Sequence, residues 1–143
     1  MTLDTSVWLP KYWFVLTTMG CTYPLKPNEV TRKKYYELIQ NMPLFMPEGD
    51  ASKAFLELID KYPVTPYLDD RDGFMKWIHF IQNKLNQALG YQEQTTAEAM
   101  EAYYDEYKPK EVLMQDVFRQ RERYLYIAAI LGLLMGAFYL SKR

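Results

Sequence analysis

The side chains best suited to chemistry form a short polar stripe, His79, Gln82, Asn83 and Asn86, spaced three and four positions apart. On a helix these spacings place side chains on one face. The stripe could line a ligand groove with hydrogen-bond donors and acceptors, or it could be a solvated helix face. A single histidine excludes a multi-histidine metal site, and a single cysteine, Cys21, excludes an intrachain disulfide.

The charge balance points away from nucleic acid as a partner. The 143 residues carry 17 Lys and Arg against 18 Asp and Glu, a net charge of −1. Residues 119–143 hold five of the basic residues and one acid, which leaves 12 basic and 17 acidic residues, about −5, in the first 118 positions. The chain therefore has an acidic first part and a basic, apolar last part.

The elements that must position the polar stripe are predicted to be short helices. Asp69 or Asp70 can cap the longest one, which is expected to run to about Leu89 and to end at Gly90. Apolar spacing, prolines and caps indicate further helices: from near Pro10 to Gly20, around Tyr35–Met42, around Phe55–Tyr62, from Thr95 with Glu98 as its capping box to Tyr107, and a last one starting at Pro109. No segment alternates as a strand, so the predicted fold class is all-α.

The segment Tyr124–Leu140 has no charged residue in 17 positions. As a helix it would span roughly 26 Å, enough for a bilayer core. Flanking arginines, interfacial tyrosines and a glycine pair suited to close helix contact are expected at the membrane: Arg119, Arg121, Arg123, Tyr124, Tyr126, Tyr139, Gly132 and Gly136. The alternative is a buried core helix. We predict a helical head at 1–108, an amphipathic basic connecting helix at 109–123, and a transmembrane helix at 124–140 that acts as a tail anchor and leaves the head in the cytoplasm.

Several residues in the head follow the order of a known family. Trp8 and Trp13 are followed by Tyr23-Pro24, then by Met42-Pro43, Trp77 and the run Gln82–Gly90. This order resembles the Erv/ALR sulfhydryl oxidases, which are flavin-bearing helical bundles, over roughly residues 6 to 91. It is similar, more narrowly, to divergent Erv-like proteins of large double-stranded DNA viruses.

The chain departs from this family at the positions that carry its chemistry. The resemblance places the family's Cys-x-x-Cys pair at Leu44 and Pro47, neither of which can form the thiolate that disulfide exchange requires. Two histidines of the family's flavin pocket correspond to Thr17 and Gln82, and a cysteine corresponds to His79. The vestigial flavin pocket that the resemblance implies consists of Trp13, Thr17, Trp77, Gln82, Asn83 and Asn86. We therefore predict no enzyme, no catalytic residue and no bound cofactor, with FAD as the alternative.

The predicted function is that of a minor capsid protein, a membrane-anchored structural protein that links the internal membrane of a large DNA virus to its capsid shell. It would lie in the virion beneath the capsid, contacting the lipid bilayer and capsid proteins but no nucleic acid and no small-molecule substrate. Phe45 and Tyr67, in the proline-rich connections 43–50 and 62–70, are the predicted partner contacts. The alternatives are a flavin-binding oxidoreductase of the sulfhydryl oxidase family and an accessory subunit of a cellular membrane complex.

Overall fold

The structure, a computed structural model, describes residues 3–141, and it describes side chains for residues 3–109 and 118–135. Six α-helices follow one another: α1 Thr5–Thr22, α2 Glu29–Phe45, α3 Asp50–Lys61, α4 Arg71–Ala88, α5 Thr96–Asp105 and α6 Lys110–Ser141. A short 3₁₀ helix, Thr65–Tyr67, lies between α3 and α4. Residues 3–141 contain no strand, so the prediction of an all-α bundle is confirmed.

The start of α1 differs from the prediction. Asp4 caps the helix by accepting a hydrogen bond from the Ser6 backbone N–H at 2.9 Å. The helix consequently begins at Thr5, includes Pro10 and ends at Thr22, whereas the sequence indicated a start near Pro10 and an end by Gly20. An aspartate whose side chain satisfies free N–H groups thus fixes the helix start more strongly than the proline does.

The connection predicted at 43–50 is shorter than expected, because α2 continues through Pro43 to Phe45. A proline removes one backbone donor from a helix, but Met42 and Met46 on either side of it are both buried. Their burial holds the last turn of α2 in helical form. The predicted cap of α4 is confirmed, since the Asp70 carboxylate accepts from the Gly73 N–H at 2.7 Å.

The core is built around α4, which packs against α1 and α3. Trp77 is 1% exposed, lies parallel to Phe74 with ring centroids 6.4 Å apart, and donates from its indole N–H to the Tyr62 carbonyl at 2.9 Å. The buried Tyr23 hydroxyl donates to the Leu68 carbonyl at 2.7 Å. Two buried aromatic side chains therefore fix both ends of the proline-rich connection 62–70 against the bundle.

The chain divides into two compact units, Met1–Tyr103 and Tyr104–Arg143. The second unit contains α6, a single helix that includes the arginines predicted for a connecting helix and the whole of the segment predicted to span a membrane. Within the part of the chain that the structure describes, no helix combines the length and the apolar composition of a bilayer span. The predicted transmembrane helix at 124–140 is therefore not supported.

The predicted close contact of another helix with the glycine pair in α6 stays a prediction. The space within 4 Å of a β carbon at Gly132 is open among the described residues. Gly136 and Tyr139 lie outside the residues whose side chains are described. The arginines at 119, 121 and 123 and the tyrosines at 124 and 126 are exposed.

Candidate functional site

An open cavity of about 270 Å³ lies between α1, α4 and α5. Its lining residues come from all three helices: Thr17 from α1; Asp72, Met75, Lys76, Ile78, His79 and Gln82 from α4; and Thr96, Ala99 and Met100 from α5. Thr17 and Gln82, which the family resemblance places in a flavin pocket, thus line the same cavity although they are 65 positions apart in the chain. The walls are mainly apolar with a few polar groups, as in most small-molecule sites.

Helix α4 separates the cavity from the core. Its residues at 75, 78, 79 and 82 line the cavity, while Trp77, Ile81 and Leu85 are buried in the hydrophobic cluster. Within each set the residues are spaced three or four positions apart, which places each set on its own face of the helix. His79 and Gln82 of the polar stripe therefore face a cavity, as the ligand-groove interpretation expected.

Asn83 and Asn86, the other members of the stripe, hold a loop. The Asn83 carbonyl oxygen accepts from the Gln94 N–H at 3.0 Å, and its amide nitrogen donates to the Gln94 carbonyl at 2.7 Å. Asn86 donates to the Gln92 carbonyl at 3.4 Å. The chain leaves α4 through Gly90, whose φ of 74° is a conformation that glycine adopts readily. We call residues 90–95 the strap, because it ties the start of α5 to α4.

Helix α5 is fixed at both of its ends. At its start, the predicted capping box is present: Glu98 accepts from the Thr95 backbone N–H at 2.7 Å and from the Thr95 hydroxyl at 2.9 Å. These hydrogen bonds lower the pKa of the Glu98 carboxyl. Near its end, the Tyr103 ring packs on Phe14 with centroids 5.2 Å apart, and its hydroxyl lies 3.0 Å from that of Thr18. The capping box stabilises the first turn of α5, and the Tyr103 contacts attach the helix to α1.

The two tryptophans of the predicted pocket do not line this cavity. Trp13 is buried edge-on against Phe55 with centroids 6.1 Å apart, and Trp77 belongs to the core described above. Sequence reasoning missed the three lining residues of α5. The Thr95–Glu98 capping box located that helix, but no local signal showed that it packs on α1.

The positions where the family resemblance expects cysteines lie at the end of α2 and just after it. Leu44 is 78% exposed and Pro47 is partly buried. Because neither side chain contains sulfur, no thiol is present at these positions. Cys21 is also only partly buried. Phe45 and Tyr67, the predicted partner contacts, are 72% and 43% exposed. Among the described residues no group of three His, Cys, Asp or Glu side chains could hold a metal ion.

Comparison with known proteins identifies the family. Residues 10–108 match the model of the Erv1/Alr family. The chain belongs to the Erv1/Alr family. It is 28% identical over 99 residues, 68% of this chain, to a protein of Acanthamoeba polyphaga mimivirus described as a probable FAD-linked sulfhydryl oxidase, of which the match covers 69%.

Solved structures confirm that this chain has the Erv1 fold. The crystal structure of the yeast Erv1 core matches with a TM-score of 0.63 and 17% identity, covering 72% of this chain and 86% of that one. The FAD-binding domain of Erv1 from Saccharomyces cerevisiae matches with the same TM-score and identity, covering 72% of this chain and 96% of that one. The predicted membership of a divergent Erv/ALR-like group with a viral relative is thereby confirmed.

The same comparisons contradict the functional interpretation of the sequence. The predictions of a structural minor capsid protein, of no enzymatic activity and of no cofactor are wrong, because the family and the viral relative are linked to FAD and to sulfhydryl oxidation. Positions 44 and 47 carry leucine and proline and therefore no thiol, but the bundle still contains the cavity between α1, α4 and α5. No comparison tests the predicted location in the virion or the capsid contacts of Phe45 and Tyr67, which stay predictions.

The cavity also fits part of a flavin. Its volume of about 270 Å³ lies just below the range of about 300–1,000 Å³ for small-molecule sites, so it limits any dinucleotide bound there to one ring system inside, with the remainder outside. The Nδ1 atom of His79 is buried and has no hydrogen-bond partner. Since that atom has almost no surface open to the cavity, the fit depends on the other lining groups, which are the apolar Met75, Ile78 and Met100 beside the polar Thr17 and Gln82.

Proposed function

We propose that this member of the Erv1/Alr family is a flavin-binding oxidoreductase that holds the ring system of FAD in the cavity between α1, α4 and α5. The observation that carries the proposal is the cavity itself, whose walls are mainly apolar and include Thr17 and Gln82 as polar groups. The match to a probable FAD-linked sulfhydryl oxidase supports the choice of cofactor.

The lining residues divide into three roles. Met75, Ile78 and Met100 supply apolar contact to the faces of a ring, and thioether side chains adapt well to aromatic surfaces. Thr17 and Gln82 supply hydrogen bonds to its edges. Lys76, which is exposed and lines the cavity, supplies a cation for the phosphates of the dinucleotide. Bound FAD would supply two-electron redox chemistry at this site.

A thiol substrate of this chain has to supply both of the thiols that are oxidised. Joining two thiols in a disulfide releases two electrons and two protons, and these 143 residues contain one cysteine. If the chain oxidises thiols, both thiols must therefore belong to the substrate. A relay through an internal disulfide at positions 44 and 47 is ruled out, because leucine and proline occupy them.

The direct test is to measure the flavin content of the full chain. The protein is expressed with excess riboflavin, purified, and examined for visible flavin absorbance and for FAD released on denaturation. We expect equimolar FAD that survives gel filtration. A full chain that is folded by circular dichroism and that retains no FAD, even after incubation with excess FAD, contradicts the proposal.

We also propose that α6 associates with a lipid bilayer. The described side chains of this helix, 118–135, are all exposed, and ten of them are large and hydrophobic. The arginines at 119, 121 and 123 precede the apolar stretch, and each basic residue near an anionic membrane surface contributes about 1 kcal/mol of attraction. The apolar helix surface can contact the acyl chains of a membrane, and the basic group at one end complements anionic headgroups.

Vesicle flotation tests this second proposal. The full chain should float with vesicles of phosphatidylcholine and phosphatidylserine, and deletion of residues 124–143 should leave the protein at the bottom of the gradient. A variant with glutamine at 119, 121 and 123 should float less with anionic vesicles and equally with neutral ones. Flotation of the truncated chain to the same extent as the full chain contradicts the role of α6.

A further inference from the structure

Two lysines and two aromatic rings form a surface cluster where the end of α3 meets the middle of α4. The Lys61 ammonium lies 5.3 Å from the centroid of the Tyr62 ring, and the Lys84 ammonium lies 5.8 Å from that of the Phe80 ring. The two rings meet edge to face with centroids 5.0 Å apart. We call these four residues the cation–aromatic cluster, because a cation lies at each end of a pair of rings.

The core holds the cluster in a fixed position. The Tyr62 carbonyl accepts the indole N–H of the buried Trp77 at 2.9 Å, and Phe80 and Lys84 lie about one turn apart on α4. Neither Phe80 nor Lys84 belongs to the residues of α4 that line the cavity or fill the core. The cluster is therefore preorganised, and it lies on a face of α4 separate from the proposed flavin site.

Several groups of the cluster are open to a ligand. Phe80 is 39% exposed, and Lys61 is exposed. Within the described residues neither lysine forms an ion pair with a carboxylate, and the Lys84 ammonium donates to the Gln87 side chain at 3.3 Å. An ammonium group has three N–H donors. Both lysines consequently have donors left for an anion, next to an exposed ring.

The charge of the chain limits the kind of anion that fits. The first 118 residues carry about −5. A nucleic acid or an anionic bilayer presents charges well beyond a single patch, so the acidic surface around the cluster repels it. A short acidic peptide can place its carboxylates at the two lysines alone. An aromatic side chain of the same peptide can meet the Phe80 ring edge to face, an arrangement that aromatic pairs favour.

We propose that the cation–aromatic cluster is a docking site for an acidic segment of a partner protein, in which carboxylates flank an aromatic residue. The carboxylates bind the Lys61 and Lys84 ammonium groups, and the aromatic side chain packs on Phe80. A contact of this small size is typical of a transient complex. The inference does not depend on the proposed flavin site, since no residue of the cluster lines the cavity.

Binding of a model peptide tests the proposal. The probe is Glu-Glu-Phe-Glu-Glu with a fluorescein label and an amidated C-terminus, and its fluorescence polarisation is titrated with the full chain. We expect saturable binding that weakens as sodium chloride rises from about 50 to 300 mM, because salt screens exposed charges. Two equally labelled control peptides, one with glutamine for every glutamate and one with alanine for phenylalanine, should bind about fivefold more weakly or less. Equal binding of the glutamine peptide and the probe contradicts the proposal.

Substitutions locate the binding site on the chain. Lys61→Gln and Lys84→Gln should each weaken binding about threefold, and the two together about tenfold. Phe80→Ala removes the ring and should weaken binding about fivefold. The matched control is Lys53→Gln, which removes one positive charge from an exposed position earlier on α3 and should leave the affinity unchanged. Equal losses for Lys53→Gln and Lys61→Gln would show attraction to net charge alone and would overturn the proposal.

Two further ligands distinguish the peptide from other anions. The full chain and its Lys61→Gln/Lys84→Gln variant are compared by flotation with phosphatidylserine vesicles, and adenosine monophosphate is added to the bound probe. We expect equal flotation of the two chains and no displacement of the probe. Weaker flotation of the double variant would assign the cluster to lipid headgroups, and displacement by the nucleotide would assign it to nucleotides; either result overturns the proposal. Circular dichroism shows that each variant is folded, and the lysine variants at the surface keep the test valid if Phe80→Ala is not.

Discussion

Replacement of Ala99 by phenylalanine is expected to weaken FAD binding at least tenfold. Ala99 lies on α5 and lines the cavity of about 270 Å³. A phenylalanine ring at this position would occupy space that the proposed flavin ring needs, and a shift of α5 to make room would break the contacts of Tyr103 and the strap. We expect the dissociation constant for FAD to rise at least tenfold, which is about 1.4 kcal/mol or more of binding free energy. Titration followed by flavin fluorescence measures it.

The matched control is Ala97→Phe. Ala97 lies two positions away on the same helix, is exposed, and does not line the cavity. Its FAD affinity should equal that of the unchanged chain, and thermal denaturation of both variants shows whether either substitution unfolds the bundle. Full FAD affinity in a folded Ala99→Phe variant would place the flavin elsewhere.

The largest effect on stability is expected for Trp77→Ala. Trp77 is 1% exposed, stacks on Phe74, and donates to the Tyr62 carbonyl. Removal of a buried tryptophan side chain costs about 3–5 kcal/mol, because apolar contacts are lost and a cavity remains. The loss is a large part of the stability of a small domain. Urea denaturation followed by circular dichroism measures the change in the free energy of unfolding.

Two further substitutions on α4 serve as a control and as a milder variant for the Trp77→Ala measurement. Phe80→Ala removes an aromatic ring that is 39% exposed, and it should cost less than about 1.5 kcal/mol. Trp77→Phe keeps most of the apolar contact but leaves the Tyr62 carbonyl without its donor, which costs about 1–3 kcal/mol. This second variant keeps the prediction measurable if the alanine variant does not fold. A cost for Trp77→Ala no greater than that for Phe80→Ala would contradict the central position of Trp77.

Local signals were sufficient to predict much of the fold. Asp70, Gly90 and the Thr95–Glu98 pair act on the backbone within three or four residues, so the bounds of α4 and the start of α5 could be read from the sequence. The end of α2 could not, because a proline at 43 normally indicates a break. The burial of Met42 and Met46 decides that segment, and burial depends on the rest of the bundle.

The candidate site was predicted only in part. The spacing of His79 and Gln82 located one wall, but the opposite wall depends on Tyr103 reaching Thr18, which is 85 positions away in the chain. No local pattern encodes a contact of that separation. The function was misjudged for a related reason. Leu44 and Pro47 showed that a thiol pair was missing, whereas the cavity that supports a flavin is made by three helices elsewhere in the bundle.

The strap also determines how long a ligand stays bound. Residues 90–95 are all exposed. Their contacts to α4 beyond the turn at Gly90 are hydrogen bonds from the Tyr91 N–H to the Asn86 carbonyl and from the side-chain amides of Asn83 and Asn86. Segments with exposed hydrogen bonds and little buried apolar surface open at a lower free energy than the core around them. We therefore expect the outer wall of the cavity to open more often than α4 and the buried tryptophans unfold. For a flavin bound at the proposed site, the opening rate of α5 would then set the residence time, and slow hydrogen exchange in α4 should coexist with fast exchange in residues 91–100.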